Sequence, residues 1–221
     1  LLRNLEIRQK VYGEKNVNTF GAFQSLAEFE FTNGAYVSAA HHYQESLIAL
    51  IKNFNTRQLT DNPKPDPTEL NGDLVMGLAG KGKSVRRMAL ADSSRDLKEL
   101  SLQTYLLADS IFSIFRNISN YDDPKLKQLE TGNVRYDEMT SLAFELFDDG
   151  RHEGFAEVAL DVMERSRAVL LQHALQKTES YNLAGVEPQF KAREKEFMRQ
   201  RMELVRLLST PELPGRCEDC R

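Results

Sequence analysis

Residues 77–84 read GLAGKGKS, the spacing of glycine, lysine and serine that is found in phosphate-binding P-loops. Such a loop follows a buried strand, and its backbone N–H groups, lysine and serine bind the phosphates and magnesium ion of a nucleotide. Here the only apolar run before the glycines is residues 74–76, whereas Leu74, Leu78 and Val85 recur at helical spacing. We therefore predict a helix whose glycines pack closely against a neighbouring helix, and nucleotide binding by residues 77–84 is the alternative.

The cysteine and histidine residues do not form a recognisable metal or catalytic set. Cys217 and Cys220 are one C-x-x-C pair, whereas a structural zinc ion takes four ligands. We predict free thiols in a tail, with a metal site shared with another chain as the alternative. The histidines are His41, His42, His152 and His173. None has a cysteine or carboxylate at the spacing of a catalytic or metal-binding set. The sequence predicts no catalytic residue, no metal and no cofactor, and a chain that is not itself an enzyme.

Length, composition and charge exclude several classes of protein. The chain has 221 residues, of which 41% are hydrophobic and 28% charged, as in a globular protein with a substantial core. Its net charge of −4, from 29 basic and 33 acidic residues, argues against a nucleic-acid partner. No run approaches the roughly 18 apolar residues of a membrane span. Because two cysteines suit a reducing compartment, we predict a cytoplasmic protein with no membrane or nucleic-acid partner.

The stretch 20–53 reads as two short amphipathic helices joined by one turn. Apolar residues at helical spacing in its first half are Phe20, Phe23, Leu26, Ala27 and Phe31, and those in its second half are Tyr36, Ala39, Ala40, Tyr43, Leu47 and Leu50. Between them, Asn33 and Gly34 are residue types that end a helix at low cost. The small residues Ala27 and Ala39 allow the two helices to approach closely. The pattern predicts a helical hairpin that buries its apolar faces by stacking on others.

Similar patterns along the chain predict an all-α fold, a superhelical stack of such hairpins with a long C-terminal helix. The predicted parts are a repeat end at 1–16, hairpins at about 20–53, 67–117 and 136–177, a linker and long terminal helix at 179–210, and a tail at 211–221. Residues 1–178 would form one helical repeat domain. The polar, proline-containing stretch between Phe54 and Pro67 would form a loop between hairpins. On the terminal helix, Phe190, Phe197 and Leu204 recur every seven residues, which predicts a packing seam.

Three segments resemble tetratricopeptide (TPR) proteins. LEIRQKVYGEKN at 5–16 is similar to the long-period TPR repeats of the kinesin light chain type. ERSRA at 164–168, followed by VLL, resembles the signature that ends the TPR array in bacterial TPR-CHAT proteins. LAGVEP at 183–188, with the charged helix after it, is similar to the link toward their caspase-like CHAT peptidase domain. The resemblance covers nearly the whole chain to about residue 210 and reinforces the helical repeat prediction.

The resemblance implies a noncatalytic sensor or regulatory arm that binds a peptide or protein partner in a concave groove lined by the first helix of each hairpin. The expected groove residues are Gln24, Glu28, Phe31, Met76, Lys83, Thr140, Phe144 and Phe147. In kinesin-light-chain-like repeats an asparagine that grips the peptide backbone commonly occupies the place of Gln24. The family's His and Cys dyad lies in the downstream peptidase domain and has no counterpart here, so that domain is itself an expected partner. A self-associating scaffold is a further alternative.

Overall fold

The computed structural model describes residues 1–118, 136–149 and 154–167, and part of the segment 189–200. Its α-helices are α1 (Leu2–Tyr12), α2 (Val17–Thr32), α3 (Tyr36–Leu50), α4 (Gly72–Asp92), α5 (Arg95–Ile118), α6 (Tyr136–Asp148) and α7 (154–167). No β-strand occurs among the described residues, so the predicted all-α fold is confirmed. Nor does this part of the chain contain a helix that is long and apolar enough to cross a membrane. The chain divides into two compact units, Leu1–Arg165 and Ser166–Arg221.

The first predicted hairpin is formed by α2 and α3. Asn16 caps α2 by accepting a hydrogen bond from the backbone N–H of Asn18 at 2.8 Å. The helix therefore begins at Val17, earlier than the sequence pattern indicated. In the turn between the two helices Gly34 has a φ of 80°, a left-handed conformation that glycine adopts without steric cost. The predicted turn is confirmed.

Successive helices pack side by side in the first unit, α1 on α2, α2 on α3, α3 on α4, α4 on α5 and α5 on α6. The first helices of neighbouring hairpins also touch, since α2 contacts α4. One apolar cluster joins α3, α4 and α5 and includes Leu47, Ile51, Leu74, Leu78, Ile111 and Phe112. Another joins α5, α6 and α7 and includes Leu102, Met139, Leu142, Leu146 and Val162. Each helix buries its apolar stripe only through its neighbours, and this confirms the predicted stack of paired helices.

The helix predicted from about residue 67 begins later, at Gly72. Pro67–Glu69 form one turn of 3-10 helix, and Leu70 returns to extended backbone. The side chain of Asn71 then accepts a hydrogen bond from the backbone N–H of Leu74 at 3.0 Å and fixes the start of α4. The predicted start was wrong by about one turn because a proline with its fixed φ suits a short 3-10 turn as well as an α-helix.

The segment between α3 and α4, residues 52–66, is here named the strap. Gln44 on α3 is almost fully buried, and its Nε2 donates to the carbonyl oxygens of Thr56, Gln58 and Asp61 at 2.9, 3.0 and 3.2 Å. These backbone carbonyls have no helical or strand partner, so a buried side-chain amide that satisfies them holds the strap against the helices.

A second buried side chain, Lys81 on α4, also holds the strap. Its Nζ donates to the carbonyl oxygen of Asp61 at 2.7 Å and to Oδ1 of Asn62 at 2.8 Å. The Asn62 amide in turn donates to Oγ1 of Thr104 on α5 at 3.1 Å. Because Lys81 is removed from water, burial lowers its pKa to about 7. A lysine of the P-loop-like pattern therefore lies on α4 and holds the connection between the first two hairpins in place.

Candidate functional site

The P-loop-like residues 77–84 lie within α4, and their glycines face neighbouring helices. A Cβ atom added to Gly80 would lie 2.2 Å from Cε1 of Tyr43, and one added to Gly77 would lie 2.8 Å from Cδ2 of Leu47. Close packing of the glycines on a neighbouring helix is therefore confirmed. In this helical geometry the backbone N–H groups of residues 77–84 point along the helix and do not form the loop that cradles a phosphate.

The predicted groove residues of α2 are joined to α3. Nε2 of Gln24 donates to Oγ of Ser46 at 2.9 Å, so the amide is already engaged within the hairpin. Glu28 is exposed and its Oε2 accepts a hydrogen bond from the Tyr43 hydroxyl at 2.6 Å. Burial, together with this carboxylate, raises the pKa of Tyr43 well above its ordinary value. Glu28 is thus fixed at the surface by a hydroxyl that remains protonated.

Phe31 and Lys83 bring α2 and α4 together. The Nζ atom of Lys83 lies 3.8 Å from the centroid of the Phe31 ring and 3.5 Å from Oε1 of Glu28. Phe31 also packs against Tyr36, with the ring centroids 5.2 Å apart. Three of the predicted groove residues therefore form one cluster, in which a cation rests on an aromatic face beside a carboxylate.

The other predicted groove residues do not join this cluster. Met76 is partly buried and packs against the apolar cluster of α3, α4 and α5. Thr140 on α6 is partly buried. On the same helix Phe144 and Phe147 are 52% and 45% exposed.

A cleft of about 320 Å³ lies between α4 and α6. It is lined by Lys83, Arg86, Arg87 and Leu90 from α4 and by Asp137, Glu138 and Ser141 from α6. Of these residues the sequence prediction included only Lys83. The signal that could have found others was helical spacing, because Arg87 and Leu90 follow Lys83 by four and seven residues along one face of α4.

Ion pairs hold one side of this cleft in place. Arg86 binds Glu145 of α6 through both terminal nitrogens, with Nη1 at 2.9 Å from Oε2. Lys98 of α5 lies 3.4 Å from the same carboxylate. The hydrogen bonds from Arg86 and the nearby positive charges lower the pKa of Glu145. A bidentate pair of this kind fixes α4 and α6 relative to each other more specifically than a single contact would.

Arg165 belongs to the ERSRA segment and lies away from the cleft. Its Nη1 donates to Oδ2 of Asp109 at 3.0 Å. Asp109 on α5 is only 2% exposed, and its Oδ1 accepts a hydrogen bond from the Tyr136 hydroxyl at 2.8 Å. A buried carboxylate needs such partners, so this arginine joins α7 to α5 and α6 within the first unit.

The described residues contain no group of His, Cys, Asp or Glu side chains that could hold a metal ion. His42 pairs with Glu30, and Nδ1 lies 2.6 Å from Oε2. The two cysteines, His152 and His173 lie outside the described residues, so the predictions made for them are not tested here.

Comparisons of the chain with protein-family models, with curated proteins and with solved structures find no match. The resemblance to TPR-CHAT proteins therefore still depends on the sequence segments at 164–168 and 183–188, and the resemblance to kinesin-light-chain-type repeats depends on the segment at 5–16. The structure shows an all-α stack with a cleft between α4 and α6, the first helices of two successive hairpins.

Proposed function

We propose that this chain is a TPR-type interaction module that binds a peptide or protein segment along the surface formed by α2, α4 and α6. We propose further that it is the noncatalytic sensor arm of a bacterial, cytoplasmic CHAT-type cysteine peptidase. The observation that supports peptide binding best is the cleft between α4 and α6, because the first helices of successive repeats line the binding surface in helical repeat proteins.

Two properties of the cleft favour binding over a purely structural role. The Arg86 and Glu145 pair holds its two walls before any partner arrives, which lowers the entropy that binding must overcome. At the same time Leu90, which lines the cleft on α4, is 51% exposed. An exposed apolar side chain beside charged groups that are held in place is typical of a surface that binds a specific partner.

Truncation of Leu90 should weaken peptide binding. Peptides would be selected from a random dodecapeptide library on the purified chain, and their affinities measured by fluorescence anisotropy. Leu90→Ala should reduce affinity about tenfold, because a buried leucine contributes about 1.5 kcal/mol and about 1.4 kcal/mol corresponds to a factor of ten.

Leu160→Ala is the matched control, since Leu160 on α7 is 59% exposed and does not line the cleft. It should leave the affinity unchanged. Equal losses in both variants, or no selectable peptide at all, would contradict a binding role for the cleft.

The peptidase parentage has a separate test in the reading frame beyond the codon for Arg221. A caspase-like segment with a His and a Cys should follow, and the longer product should cleave a protein substrate that the present chain leaves intact. A frame that encodes no such segment would overturn the assignment to a CHAT-type protein, while leaving the proposal of peptide binding to its own experiment.

A further inference from the structure

The charged groups of the cleft are unequally neutralised. Arg86 is paired with Glu145, and Lys83 lies beside Glu28 and the Phe31 ring. Each of these cations therefore has a carboxylate within the molecule. The positive charge that α4 contributes to the cleft is therefore partly neutralised before any partner binds.

The acidic wall of the cleft is also engaged. Glu138 accepts a hydrogen bond from the hydroxyl of Tyr105. Asp137, which precedes it on α6, likewise has an interaction within the chain. A basic ligand would have to compete with these existing contacts, so the two acidic side chains are poorly suited to bind a cationic partner.

Arg87 differs from the other charged residues of the cleft. Its side chain is exposed, and in the part of the chain that the structure describes no carboxylate lies within ion-pair distance of it. Leu90 follows one turn later on the same helix and is 51% exposed. The cleft therefore presents an uncompensated guanidinium next to an uncovered apolar side chain.

We propose that the cleft binds an acidic, extended peptide segment, with an Asp or Glu side chain on Arg87 and an apolar side chain two residues away on Leu90. This inference rests on the proposed function. In an extended segment residues two apart lie on the same face, roughly 7 Å apart, which suits two helical positions one turn apart. The guanidinium is suited to bidentate recognition of a carboxylate.

The experiment uses fluorescein-labelled peptide pools that share randomised flanks and differ at one position. Their fixed cores are Glu-x-Leu, Gln-x-Leu and Lys-x-Leu. For the unaltered chain we expect the Glu pool to bind at least fivefold more tightly than the Gln pool at low salt. This difference should shrink as ionic strength rises from roughly 50 to 500 mM, because exposed charges are then screened.

Arg87→Glu should weaken the Glu pool at least tenfold and should make the Lys pool the tightest. Arg3→Glu is the matched control, because Arg3 is exposed on α1 and does not line the cleft. It should change none of the three affinities. Because Arg87 is exposed, its replacement should leave the circular dichroism spectrum and the thermal midpoint unchanged, and this is checked before binding is compared.

The outcomes separate the inference from the function on which it rests. Binding of all three pools with equal affinity, or a Glu preference that survives Arg87→Glu, overturns the acidic-segment inference and leaves peptide binding in place. If no pool binds the unaltered chain while library selection also yields no peptide, both proposals fail.

Discussion

Replacement of Gly80 by alanine is expected to destabilise the fold by about 3 kcal/mol, as measured by urea denaturation. The added Cβ would lie 2.2 Å from Cε1 and 2.4 Å from Cζ of Tyr43, far inside van der Waals contact. Tyr43 cannot move away easily, because it is only 2% exposed and its hydroxyl is bonded to Glu28. Alanine favours a helix over glycine by about 1 kcal/mol, so helix propensity alone would predict the opposite sign.

Gly21→Ala is the matched control within α2. There the nearest atom to a new Cβ is Nη1 of Arg8 at 3.7 Å, an ordinary contact, so this variant should be neutral or slightly stabilised. In a Tyr43→Leu background, Gly80→Ala should cost much less than in the unaltered chain, because the ring that it meets is gone. If the cost of Gly80→Ala is the same in both backgrounds, the contact with Tyr43 is not its cause.

The helices themselves could be predicted because apolar spacing records which side of each helix must be covered. The turn at Asn33 and Gly34 follows from residue types whose backbone preferences are local. The start of α4 could not be predicted as well, since Asn71 and the proline-containing turn before it both satisfy the local rules for a helix start. The residues before Gly72 make contacts of another kind, since Leu70 packs against the apolar cluster of α3, α4 and α5 and Glu69 accepts a hydrogen bond from the backbone N–H of Lys52.

The contacts that hold the strap could not be predicted from the sequence. A lysine is rarely buried, and the partners of Lys81 are a backbone carbonyl and an amide of Asn62. A backbone carbonyl has no sequence signature. Gln44 likewise looks like a surface residue of α3, and only the path of the strap across it reveals its role.

Some of the predicted groove residues lie together in the structure and others do not, and packing explains the difference. Glu28, Phe31 and Lys83 were assigned to one groove from the register of separate helices, and the structure brings them together. Met76 lies on the same face of α4 as Lys83 by helical spacing, yet it packs against the apolar cluster that contains Phe54. Helical spacing gives the direction of a side chain, but the chain that covers it comes from a distant part of the sequence.

Lys81→Met should change how the stability of the protein depends on pH. In the folded protein burial lowers the pKa of Lys81 to about 7, whereas in the unfolded chain a lysine titrates near 10.4. Asp61 is the charged group that counteracts this shift, and Gln44 and Thr104 from the packed helices are neutral. The neutral amine therefore fits the folded protein better than the ammonium ion does.

Proton linkage gives the direction in which the free energy of unfolding changes with pH. Between pH 7 and 10 the unfolded chain binds more protons at this position than the folded one, so the free energy of unfolding rises with pH. The destabilisation from burying the ammonium is fully present below pH 7 and disappears as pH approaches the unfolded pKa. The slope is at most about 1.4 kcal/mol per pH unit for one group.

Urea denaturation of the unaltered chain and of Lys81→Met at roughly pH 7.5 and 9.5 measures this difference. Relative to the variant, the unaltered chain should gain about 2 kcal/mol over that interval. The interval stops below the pH at which a tyrosine ionises in the unfolded chain. At higher pH the raised pKa of Tyr43 in the folded protein would make the free energy of unfolding fall. Lys10→Met, at an exposed position on α1, should show the same pH dependence as the unaltered chain.

Because the comparison is of slopes, it holds even if methionine leaves the Asp61 carbonyl with one hydrogen bond fewer and lowers stability at every pH. Parallel slopes for the unaltered chain and Lys81→Met would mean that water reaches the amine and that the strap is not closed over it.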